Sequence, residues 1–119
     1  MKSLDFDVYV VRDNEGRFLL EKRPEEGLLA NMWQFPMVER SGNTPEQLAT
    51  NYKLVLDDLT VPVFAFKHIF SHLTWNIESH LVDASQVGEL PENTGFFTKE
   101  EIEKLPLPVP MSKIVSKLK

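Results

Sequence analysis

The residue types best able to do chemistry meet at Phe70-Ser71-His72, where an aromatic ring, a hydroxyl and an imidazole are adjacent. A serine hydroxyl both donates and accepts hydrogen bonds, and a turn exposes backbone amides and carbonyls beside it. Such a set can read the edge of a nucleobase while phenylalanine and histidine rings stack or wedge next to it. Lys67, His68 and His72 are the nearest groups that could meet phosphates. The plainer alternative is structural: Phe70 packs inward, Ser71 satisfies its own turn, and His72 is incidental. On the residues alone both readings stand.

Other chemistries find less support. His68 and His72 are four apart but lie near a chain reversal, and His80 sits well along the next segment, so no metal site is expected. There is no P-loop, no glycine-rich dinucleotide fingerprint and no nucleophile elbow. Glu25-Glu26, Asp57-Asp58 and Glu100-Glu101 are adjacent pairs. Neighbouring side chains on a helix or strand point apart, which makes these solvated faces and not acid/base dyads. Zero cysteines exclude disulfides, thiolate catalysis and iron–sulfur ligation within this chain. No catalytic residue is therefore assigned. The net charge of −5 provides no global basic field, which weighs against tight autonomous binding to nucleic acid.

The tip must be carried by the runs on either side of it. Val61 to Ile69 is rich in β-branched and aromatic residues. Leu73, Trp75, Ile77, Ser79 and Leu81 alternate with Thr74, Asn76, Glu78, His80 and Val82, a period of two. Two such runs joined this tightly predict an antiparallel hairpin with Phe70-Ser71-His72 at its end. A connection that only had to turn would more usually use Asn-Gly or Asp-Gly.

The rest of the chain reads as the support. Phe6 to Val11 and Phe18 to Glu21 form a first hairpin across Asp13-Asn14-Glu15-Gly16. The loop from Lys22 leads into the apolar Met32-Trp33-Gln34-Phe35-Pro36, and Ser41-Gly42-Asn43 breaks the chain again. Thr44-Pro45-Glu46-Gln47 opens a helix as a capping box, with Leu48, Tyr52, Val55 and Leu56 as its apolar face and Asp57-Asp58 as its end. Ala84 to Asn93 is a polar connection, and Gly95-Phe96-Phe97 a short buried strand. Thr98-Lys99-Glu100-Glu101 is a second capping box, opening a helix to about Leu105. Leu105 to Pro110 suits a strap over the sheet better than a proline-recognition ligand. Pro110 then starts a last helix, Met111 to Leu118. Trp33 and Trp75 are expected in the core. The fold class is α+β, one domain over residues 1–119, with a mixed or antiparallel sheet and about three helices. No apolar run approaches the roughly 20 residues of a membrane helix. Met1-Lys2-Ser3-Leu4-Asp5 lacks the apolar region of a signal peptide, so a cytoplasmic location is expected.

Three groups of residues, in order and covering Phe6 to Ile114, resemble the C-terminal domains of the MutY family of adenine DNA glycosylases. They are Arg23-Pro24 with Gly27-Leu28-Leu29-Ala30 and Met32-Trp33-Gln34-Phe35-Pro36, then His68-Ile69-Phe70-Ser71-His72-Leu73 with Trp75, then Leu105 to Ile114. The resemblance implies a Nudix-like fold and a role in finding adenine mispaired with 8-oxoguanine. In that family a Phe-Ser-His loop contacts the oxidised guanine, which maps onto Phe70, Ser71 and His72. Oxidation turns guanine N7 from an acceptor into an N–H donor, so a serine accepting there would favour the lesion.

The same resemblance implies partners and an absence. The partners are duplex DNA with an 8-oxoguanine:adenine mispair and a catalytic domain of the same polypeptide, with this chain a monomer. The family's helical catalytic domain, with its acid/base carboxylates and iron–sulfur cluster, is not in this chain, so no cofactor and no glycosylase activity are expected from it alone. A Nudix hydrolase would carry paired glutamates on the helix after the Trp-x-Phe-Pro segment. Here that helix reads Glu46 to Lys53 without them, and Met37-Val38 replace the expected glycines. Magnesium would have too few hard ligands. The alternatives are a divergent nucleotide pyrophosphohydrolase and a protein-interaction module working through the Pro-rich segment.

Overall fold

The computed structural model describes residues 2–40 and 44–118, so the break predicted at Ser41-Gly42-Asn43 lies outside the described residues, as does Met1. In chain order the elements are β1 (Lys2–Arg12), β2 (Phe18–Lys22), β3 (Trp33–Gln34), β4 (Met37–Glu39), α1 (Thr44–Tyr52), β5 (Leu54–Ile69), β6 (Leu73–Gln86), β7 (Thr94–Phe97), α2 (Lys99–Ile102) and α3 (Val109–Val115). The sheet runs β3-β2-β1-β6-β5, with β4 added to β1 and β7 to β2. It is mixed: β1 and β6 run parallel from Lys2↔Leu73 to Arg12↔Asp83, and the other pairs are antiparallel.

β1 is central and covered on both faces, which is why Asp7 to Val11 are all buried in succession. Val8 and Val10 join Phe18, Leu20, Phe35, Trp75, Ile77 and the α2–α3 residues Ile102, Met111 and Ile114 in one core. Tyr9 and Val11 face the other side, meeting Leu19, Val82, Ala84 and the α1 residues Leu48 and Tyr52. The period of two in β1 thus sorts its residues between two cores, not between core and solvent.

Several boundaries differ from the sequence expectation. α1 opens at Thr44, the residue predicted as its cap, but ends at Tyr52, and Val55 and Leu56 belong to β5. Lys53 takes a left-handed φ of 56° and reverses the chain. From Leu54 the ladder to β6 (Leu54↔Gln86, Val55↔Ser85, Leu56↔Ala84) takes over, leaving Val55 57% exposed on the outer face. β6 correspondingly continues to Gln86, so Ala84 is buried in the second core and not part of a polar connection. β7 is half-buried, not buried. α3 begins at Val109 with Pro110 in its first turn, and stops at Val115.

Other expectations hold. Thr98 and Glu101 form the reciprocal capping box on α2, although the helix ends at Ile102 and does not reach the expected Leu105. The Pro-rich segment is a strap: the Trp33 N–H donates to the Pro106 carbonyl (2.9 Å), while Leu105 and Leu107 pack on the first core. Trp75 is buried and Trp33 half-buried against that core. Among the described residues no helix is long and apolar enough to cross a membrane.

Candidate nucleic-acid interface

β5 and β6 form the predicted antiparallel hairpin, and its closing pair Ile69↔Thr74 leaves Phe70-Ser71-His72 as the connection. The Phe70 N–H donates to the Leu73 carbonyl (2.7 Å), and the Lys2 N–H donates to the His72 carbonyl (3.2 Å). The second bond exists because β1 starts alongside β6, so the tip is braced from both sides.

The three tip residues divide by role. The Phe70 ring is half-buried, edge-on to Trp75 with centroids 5.0 Å apart and to His68 at 4.7 Å. Trp75 is itself fixed, edge-on to Phe6 at 5.3 Å and covered by the Arg23 guanidinium at 5.5 Å. Arg23 reaches that place by donating to the Leu28 carbonyl (3.0 Å) and Gln34 Oε1 (2.8 Å). Ser71 and His72 stand exposed. No described residue hydrogen-bonds the Ser71 hydroxyl, so it does not serve its own turn and is free to bond a ligand. The structural alternative therefore fits Phe70 and fails for Ser71.

Lys67 and His68, two of the three residues expected to meet phosphate, do not converge. Lys67 and His68 are adjacent on β5 and project to opposite faces. Lys67 borders a shallow depression with Arg40, Asn76 and Glu78. His68 turns to the α3 side, where burial, and secondarily the Lys113 ammonium, hold its pKa below the ordinary histidine value. Near neutral pH it is an uncharged ring packed on Phe70. Lys113, far away in sequence, lies with its ammonium 5.6 Å above the Phe66 ring, and Lys117 lies 4.8 Å above Phe64. Sequence reasoning missed both; their spacing of four at the end of a predicted helix was the available signal.

Asp7, Glu78 and His80 place their donor atoms within 4.8 Å of one another, a grouping that could hold a metal. Arg40 already neutralises it, at 3.3 Å from Asp7 and 3.8 Å from Glu78, and His80 Nε2 lies 3.2 Å from Asp7. The arrangement is an ion-pair cluster around a buried aspartate. On α1 the one carboxylate is Glu46, which is exposed. The nearby Glu21 instead accepts from the buried Tyr52 hydroxyl and from Gln34 Nε2 (3.1 Å). Burial, reinforced by the Glu21 charge, raises the Tyr52 pKa far above its ordinary value and keeps the phenol a donor.

A surface cavity of about 540 Å³ lies at the opposite end of the sheet, lined by Arg12, Asp13, Asp57 and Asp83 among others. Its Asp83 and Asp13 are already paired, with Arg12 and Arg17.

Comparison with known proteins agrees with this architecture. The chain is 29% identical over 109 residues to the adenine DNA glycosylase of Mus musculus, a match taking in 81% of this chain and 20% of that protein. It thus spans about a fifth of the relative's length. In fold it is similar to the C-terminal domain of mouse MUTYH, solved in complex with human PCNA (TM-score 0.74, 22% identity, covering 95% of this chain and 85% of that one). It is also similar to a MutT NUDIX hydrolase from Burkholderia pseudomallei (TM-score 0.80, 16% identity, all of both chains). The NUDIX domain family matches over residues 7–117, and the chain belongs to that family.

Proposed function

We propose that this NUDIX domain is the lesion-recognition module of an adenine DNA glycosylase, non-catalytic by itself, whose hairpin tip reads 8-oxoguanine opposite adenine. The observation that carries the reading is the Ser71 hydroxyl, exposed and unpaired on a tip that Phe70 fastens to Trp75. An exposed hydroxyl on this tip can accept from the N7–H that oxidation creates, whereas toward plain guanine it must turn and donate to N7, so the two bases demand opposite orientations of the same group. The similarity to mouse adenine DNA glycosylase supports the same assignment. Phe70 acts as the anchor and a partial wedge, with His72 beside the base and Lys67 toward the backbone, while His68 supports the Phe70 ring. The partners are then the mispaired duplex and the glycosylase's own catalytic domain.

The hydrolase alternative has the fold in its favour but lacks the carboxylates. With only Glu46 on α1 and Glu21 bonded to Tyr52, magnesium has no cluster of hard oxygen ligands there.

The test is Ser71→Ala in the full-length glycosylase, with excision rates compared on 8-oxoguanine:adenine and guanine:adenine duplexes. The expected outcome is a preference for the oxidised duplex reduced by about tenfold, the value of a hydrogen bond worth roughly 1.4 kcal/mol. An unchanged ratio would refute the role of Ser71.

A further inference from the structure

The chain's formal charge is −5, and its paired cations are arginines: Arg12 with Asp83, Arg17 with Asp13 and Glu15, and Arg40 with Asp7 and Glu78. Lys2, Lys22, Lys53, Lys67 and Lys104 have no carboxylate partner among the described residues, and neither do the exposed Lys113 and Lys117, which are set apart by what lies under them. Each is held instead over a ring of β5, Lys113 over Phe66 and Lys117 over Phe64. The two rings are stacked at 4.9 Å. Being four apart, the lysines leave the end of α3 on one side. Their stems lie along apolar surface while the ammoniums stay in solvent, so little additional order is lost when they meet an anion.

Position gives this pair a direction. Phe64, Phe66 and His68 occupy alternate places on one face of β5, and His68 touches Phe70. The row therefore ends at the tip, and Lys113 is near enough to influence His68. At the far end of the sheet Asp13 and Asp83 are neutralised by Arg17 and Arg12, and Lys117 shares a pocket with Arg12. A polyanion approaching the α3 side of the hairpin therefore meets ammoniums that no carboxylate offsets.

We propose that Lys113 and Lys117 form a phosphodiester-binding stripe that seats the backbone of a nucleic-acid duplex beside the hairpin tip. The choice of a duplex rests on the reading of the tip as a lesion reader; the stripe contributes attraction without sequence or lesion preference. It also resolves the conflict between an acidic chain and a DNA partner, because the field that matters is local.

The experiment is a low-salt NMR titration of this chain with short duplexes holding 8-oxoguanine:adenine or guanine:adenine, repeated with Lys113→Gln/Lys117→Gln and with the corresponding Arg pair. Both duplexes should shift the Lys113 and Lys117 resonances. The Gln pair should bind both more weakly by a similar factor and lower the slope of log K against log salt by about 1.8, two phosphates at roughly 0.9 each. The Arg pair should restore both. An unchanged slope in the Gln pair, shifts confined to the tip, no binding of either duplex, or equal binding of a poly-glutamate peptide would each overturn the stripe. Equal tip shifts for the two duplexes, with the lysine effect intact, would instead sink the lesion-reading role and leave the stripe standing.

Discussion

The Phe70 ring meets Trp75 edge-on, with centroids 5.0 Å apart and planes at 73°, and this contact fastens an exposed loop to the buried core. Trp75 is only 3% exposed, so whatever holds Phe70 to it also holds the neighbouring Ser71 in place. A hairpin tip is ordinarily among the more mobile parts of a fold. Here its first residue is half-buried and packs against the core.

Replacing Phe70 with Ala should therefore act on order more than on global stability. The half-buried ring and its aromatic pair are worth about 2 kcal/mol. We expect a modest fall in the denaturation midpoint with faster exchange of the Lys2 and residue-70 amides, which donate to the His72 and Leu73 carbonyls, measured by hydrogen exchange. Unchanged protection of those two amides in Phe70→Ala would show that the backbone bonds hold the tip without the ring.

His68 should titrate below the ordinary histidine value of 6.5, because burial and then Lys113 disfavour its charged form. The unfolded chain then binds more protons than the folded one, so stability rises with pH through this range. The contribution is fully present above about 6.5 and is lost as pH falls. Lys113→Ala should move the midpoint part of the way back up, since burial remains. Imidazole chemical shifts followed against pH measure both; a midpoint unmoved by Lys113→Ala would place the lysine too far away to matter.

Tyr52→Phe should cost about 1.5–3 kcal/mol, the range for a hydrogen bond to a charged partner. The phenol is 7% exposed and Glu21 loses its donor from α1, so α1 should loosen from the second core. Urea denaturation of the two proteins provides the comparison. A loss below about 0.5 kcal/mol would mean that water replaces the phenol.

Magnesium should neither stabilise the chain nor support release of pyrophosphate or phosphate from nucleoside triphosphates. The reason is the ligand count: α1 supplies Glu46 alone, and the Asp7–Glu78–His80 group is held by Arg40. Turnover with magnesium, lost on Glu46→Gln, would favour the hydrolase alternative over the recognition role.

The hairpin that carries the candidate site was legible because its cues are local. Alternation from Leu73 onward, with the aromatic run before Phe70, is enough to place a hairpin and its end. Thr98 and Glu101, three apart, satisfy each other's backbone within one turn, so that cap needs no distant partner. The same local logic failed at Val55 and Leu56. They sit at helical spacing from Leu48 and Tyr52, yet they lie in a ladder with Ser85 and Ala84, residues no window around α1 contains.

What the amino-acid order determined by itself was most of the elements, though not β4 or the start of β5, and the position of the hairpin tip. The tertiary structure alone decided that β1 lies parallel to β6, which brings Lys2 to His72 and gives β1 a core on each face. It likewise decided that α3 crosses β5, which sets Lys113 and Lys117 over Phe66 and Phe64. The physical reason is the same in both cases. Periodicity and caps are set by neighbours along the chain, whereas strand partners and ring–cation contacts are chosen by which packing buries both faces of the sheet at once.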